Sequence, residues 1–101
     1  MNDDQVAFVR ERLAEGIENA RRIGNMLITH GGPAVGVPPE VAERRARAGV
    51  EAAEVKQTLF EKTIRPYLGT AGPTGRIADE QLRLFAAMYA DHPDYREEWR
   101  P

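Results

Sequence analysis

Two long runs of apolar residues recur at steps of three and four, and between them lies a stretch that no regular element can cross. In the first run Val6, Val9, Leu13, Ile17, Ala20, Ile23 and Leu27 line one side of a 3.6-residue turn, the signature of an amphipathic helix. Asn2 with Gln5 reads as a capping box, and Asp3 and Asp4 place negative charge at the helix start. His30 followed by Gly31-Gly32-Pro33 marks the end, because Gly accepts the left-handed cap and Pro cannot extend a helix. Residues 31–38 hold three glycines and two prolines, so they form a connector and not a strand.

Pro39 suits a first helical position, and the second run follows with Val41, Ala48, Ala52, Val55, Leu59, Phe60 and Ile64. Glu40–Arg44, Glu43–Arg47 and Glu61–Arg65 put acid four residues ahead of base, the favourable order on a helix. Pro66 ends or kinks this helix. A second connector over 67–76, rich in Gly and Pro, leads to a third helix whose stripe is Leu82, Phe85, Ala86 and Tyr89. Leu84 and Met88 widen that stripe until the helix is apolar over most of its girth, so it needs cover on several sides. Asp94 and Glu97 read as the capping box of a short last helix with Tyr95 and Trp99 on one face.

The expected architecture is all-α: a long antiparallel helical hairpin plus a third helix and a short C-terminal helix, in a single domain over 1–101. The helices span about 3–30, 39–66, 77–90 and 94–100. At 1.5 Å per residue each long helix runs about 40 Å. One further helix can hardly cover both stripes, so two hairpins are expected to pair as a homodimer.

Composition excludes several kinds of chemistry. With neither Cys nor Ser in the chain, disulfides, thiolate metal sites and Cys or Ser nucleophiles are all impossible. Fourteen basic and sixteen acidic residues give a net charge of −2, which argues against a dedicated phosphate-binding surface. The acidic start and the lack of any run of about 18 apolar residues point to a cytoplasmic protein without a membrane span. The glycines of 69–75 do not match a phosphate loop, since no Lys-Ser/Thr follows them.

Three groups of side chains remain. His92 lies among Asp91, Asp94 and Glu97, but Asp-His-Pro-Asp is also an ordinary turn, and a metal wants ligands converging from several elements. No metal, cofactor or catalytic set is expected. Tyr89, His92, Tyr95, Arg96, Trp99 and Arg100 form the second group, rich in the types that dominate binding hot spots. They either dock a partner or fold back onto the third helix, and the fold-back is preferred. The third group, Arg21, Arg22, Arg44, Arg45 and Arg47, is the densest basic face, with nearby glutamates to neutralise it.

The ending Tyr89-Ala90-Asp91-His92-Pro93-Asp94-Tyr95-Arg96-Glu97-Glu98-Trp99 resembles that of a family of short uncharacterised proteins of actinobacteria and their phages, a domain of unknown function. Val6 to Leu13 and Val50 to Lys62 are similar to that family's opening and middle segments. Members with this tail often carry a Cys shortly before it, where this chain has Asp79 to Leu84. The resemblance implies a host lineage and no activity. The expected function is therefore non-enzymatic: a helical interaction or adaptor module that binds a protein partner or itself. The alternative is a small DNA-associated regulator using the Arg44/Arg45/Arg47 face.

Overall fold

The computed structural model describes residues 2–31 and 36–101, and among them it is all-α with no strand. Helix α1 covers Asp3–Met26 and is prolonged by a wide π turn, Leu27–Gly31. Helix α2 covers Pro39–Leu59 and passes through a second π turn, Phe60–Ile64, into a 3-10 turn, Arg65–Tyr67. Helix α3 covers Pro73–Ala87, and the tail closes with a 3-10 turn, Glu97–Trp99. The stop signal at Gly32-Pro33 lies outside the described residues.

The chain forms two compact units: residues up to Arg12 together with Gln57–Pro101, and Leu13–Lys56. In each unit α1 and α2 run antiparallel side by side. In the first, Arg10 of α1 meets Glu61 at 2.7 Å. In the second, Gly24 faces Ala46 so closely that a Cβ on the glycine would lie 3.0 Å from the alanine Cβ. The core of the first unit is Phe8, Val9, Phe60, Ile64, Leu82 and Ala86, and Leu13, Ile17 and Ala42 are buried in the second.

Pro66 accounts for the irregular end of α2. It has no N–H to donate and its ring would strike the carbonyl of Lys62, four residues back. The preceding turn widens, with the Arg65 N–H bonding to the Phe60 carbonyl five residues earlier. Beyond it the chain tightens into the 3-10 turn, in which Leu68 N–H reaches the Arg65 carbonyl at 3.3 Å.

Several expected details are corrected. The inward line of α2 is not Ala48, Ala52, Val55 and Leu59, all of which are exposed; Ala42, Ala46, Val50, Ala53, Gln57, Phe60 and Ile64 turn inward instead. Small residues permit the close approach of Ala46 to Gly24, so the bulkier stripe stays outside. On α1 Ile23 is exposed and Gly24 buried. Two successive steps of three carry position 23 roughly 120° from Ile17, while position 24 returns to its face.

Helix α3 begins at Pro73 and not near Ile77, with Gly72 at its N-cap at φ +81°, a conformation that Gly adopts without strain. Gly75 is therefore a helical residue. It is packed so tightly that a Cβ there would sit 1.8 Å from the Thr70 carbonyl oxygen. The expected helix over 94–100 is a single 3-10 turn whose N-cap residue, Arg96, makes no side-chain cap. The side-chain amide nitrogen of Asn2 donates to Asp79 at 3.3 Å, tying the start of α1 to α3.

Candidate interaction surfaces

The tail is assembled around one ring. Phe8 projects from α1 and meets Tyr89 at 6.4 Å, His92 at 5.6 Å, Tyr95 at 6.0 Å and Trp99 at 5.2 Å between centroids. Tyr95 and Trp99 stand edge to face at 5.7 Å. Such tilted and edge-on pairs are the favoured aromatic geometries and add to what burial contributes. The fold-back was expected on the third helix alone. The tail turn does contact α3, but the ring that gathers the aromatic side chains belongs to α1. Sequence spacing could not reveal this, since Phe8 and Trp99 sit at opposite ends of the chain.

Charged groups lock the arrangement. The buried Arg12 guanidinium lies 5.2 Å from the Phe8 ring and contacts the His92 imidazole. His92 Nδ1 also accepts the Asp94 N–H at 3.0 Å, closing the Asp-His-Pro-Asp turn. Arg96 spans Asp4 at 3.1 Å and the Trp99 ring at 5.3 Å, joining the tail to the first turn of α1. Arg100 is hydrogen-bonded to Glu97; this bond holds the Glu97 carboxyl below its ordinary range and raises Arg100 above its own. Tyr95 Oη and Gln5 Nε2 are buried without a hydrogen-bond partner among the described residues. The six tail residues thus come together, with their rings turned largely inward and Arg96 and Arg100 exposed.

The arginine face is looser. Arg21 pairs with Glu18 at 2.9 Å and Arg22 with Asn19 at 2.9 Å. Arg44, Arg45 and Arg47 are exposed and have no carboxylate partner among the described residues. Of the three expected acid–base pairs only Glu61–Arg65 forms, at 2.9 Å. In water such pairs return little for the side-chain freedom they cost. Arg21, Glu43 and Arg47 rim an open groove of about 440 Å³ around Gly24 and Ala46, so the basic groups there are interrupted by a carboxylate.

A third surface carries no polar signature. On the hairpin of α2 and α3, Leu59, Tyr67, Ile77, Leu84 and Met88 are between 46% and 57% exposed. The two helices run antiparallel, since Phe60 meets Phe85 at 5.4 Å while Thr63 and Tyr67 flank Ile77 and Gln81 across an open groove of about 270 Å³. That register sets Leu59 beside the Leu84–Met88 end and Tyr67 beside Ile77, giving one apolar face. On this side Ile77, Leu84 and Met88 stay exposed among the described residues, where cover was expected around the third helix, and its buried residues are Gly75, Ala78, Leu82 and Ala86.

Residues 27–101 match the family of unknown function DUF6221. The chain belongs to that family. The DUF6221 region includes α2, α3 and the tail, while Phe8, on which the tail closes, precedes it. No curated protein and no solved structure matches the chain. Among the described residues no group of His, Cys, Asp or Glu could hold a metal ion, and no helix is long and apolar enough to cross a membrane.

Proposed function

We propose that this DUF6221 chain is a non-enzymatic helical interaction module of a bacterium or its phage, binding protein through the α2–α3 face. The host assignment rests on the resemblance of the tail. The observation that supports the binding role is the half-exposed row of Leu59, Tyr67, Ile77, Leu84 and Met88. A contiguous apolar surface left open to water is costly and is characteristic of interaction sites. The tail's aromatic side chains are engaged with Phe8, so docking through them would require displacing the turn.

Affinity capture with the native chain and with Leu84→Asp tests the reading. A half-exposed site accepts the substitution, so a folded variant should lose its protein partners. Equal capture by both proteins would refute binding through this face. The second reading, a DNA-associated regulator, is favoured by Arg44, Arg45 and Arg47, which are exposed and have no carboxylate partner among the described residues. It predicts a DNA affinity that falls steeply with salt and disappears when those three are replaced by Ala.

A further inference from the structure

We propose that the turn at 91–94 is a pH latch: a neutral His92 holds the tail on Phe8, and protonation of its ring releases Tyr95 and Trp99 from α1 while the helices stay folded.

The latch is built on one ring nitrogen. His92 Nδ1 accepts the Asp94 N–H at 3.0 Å, so in the neutral imidazole the proton sits on Nε2. A side chain that accepts from the backbone two residues on closes a turn as Asn and Asp do. The same turn holds the His92 N–H to the Tyr89 carbonyl at 2.9 Å and the Tyr95 N–H to the His92 carbonyl at 3.0 Å, and so it fixes where the Tyr95 ring meets Phe8. An imidazolium carries a proton on Nδ1 as well. Donor would then face donor, and the bond that closes the turn is lost.

The surrounding charges act in the same direction. From α1 the buried Arg12 guanidinium reaches within 2.9 Å of Nδ1, a fixed cation against which a second is costly away from water. Glu11, 3.3 Å from Arg12, is exposed and its charge is screened. Within the turn Asp91 and Asp94 are both exposed, and Asp94 Oδ2 stands 3.9 Å from Nδ1. That carboxylate attracts an imidazolium, but pairing with it takes Nδ1 away from the Asp94 N–H and opens the turn all the same. The segment after α3 contributes Tyr89, whose hydroxyl ionises only in alkali. The His92 ring is partly exposed, so it can swing into water once charged. Val9, Phe60, Ile64 and Leu82 remain buried against one another without the tail and keep the helices together.

Long-range proton–nitrogen spectra of the full chain at about pH 8 should show His92 as the Nε2–H tautomer. Between about pH 8 and pH 5, where an imidazole gains its charge, the near-ultraviolet circular dichroism of Tyr95 and Trp99 should be lost while the far-ultraviolet helical signal stays. One proton links the two states, so the ratio of closed to open tail should change by about tenfold per pH unit below the midpoint. His92→Asn keeps an oxygen that can accept the Asp94 N–H and cannot titrate, and its near-ultraviolet signal should be flat across this window. His30→Asn should leave the transition in place. A charged His92 ring with the full near-ultraviolet signal overturns the latch, as does a transition that persists in His92→Asn. An Nδ1–H tautomer at about pH 8 overturns it whatever the variants do.

Discussion

At Gly75 a Cβ would sit 1.8 Å from the Thr70 carbonyl oxygen, whereas at Gly16 and Gly49 it would meet nothing within 4 Å. Alanine should therefore affect these helical glycines in opposite directions. Gly75→Ala must push the turn before α3 away from the helix, at about 1–3 kcal/mol typical of overpacking. Gly16→Ala and Gly49→Ala should each stabilise by about 0.5–1 kcal/mol, the difference in helix propensity between the two residues. Thermal melts of the three single variants decide the matter, and a Gly75→Ala melt at or above wild type would contradict the contact. Tyr95 offers a second residue-scale test. Its buried hydroxyl has no hydrogen-bond partner among the described residues, so Tyr95→Phe should leave stability unchanged or raise it, because no hydrogen bond is lost and a desolvated polar atom is removed.

The elements show what was legible and what was not. The existence of three helices follows from apolar steps of three and four, and Pro66 marks the end of the second. The inward side of α2 was misleading because its larger residues and its smaller ones form two interleaved stripes. Burial chose Ala42 and Ala46 over Ala48 and Val55 because close approach to Gly24 mattered more than residue size. The tail posed a different difficulty. Local patterning gives Asp94-to-Glu97 the look of a helix start, but only the position of Phe8 in space explains why the chain turns there. Removing that ring is accordingly more damaging than trimming the turn. Phe8→Ala should cost about 3–5 kcal/mol, the range for a buried aromatic residue, and near-ultraviolet circular dichroism should lose the signal of the ordered Tyr95–Trp99 pair. The tail also has a pH response of defined sign. Because Arg100 lowers the Glu97 pKa, the contribution of this bond is fully present above the ordinary glutamate range and is lost as pH falls through the lowered value. A carbon-detected titration of Glu97 should therefore show its midpoint below the ordinary value, and Arg100→Gln should return it there.

For the whole molecule, covering the apolar face of α2 and α3 would couple folding to association. If a second copy covers Leu59, Ile77, Leu84 and Met88, each protomer is stabilised by mass action, and its melting temperature must depend on concentration. A tenfold increase in concentration contributes about 1.4 kcal/mol per dimer, or about half that per chain. For a domain of this length that corresponds to a rise of roughly 3–5 °C. The Leu84→Asp protein should melt at a temperature independent of concentration, because its face cannot close over a carboxylate without burying the charge. At high dilution the two curves should converge, since a half-exposed leucine contributes little to the isolated protomer. A wild-type melt flat over two decades of concentration would mean that the face is not closed by a copy of itself. The open row of side chains would then need another protein to cover it.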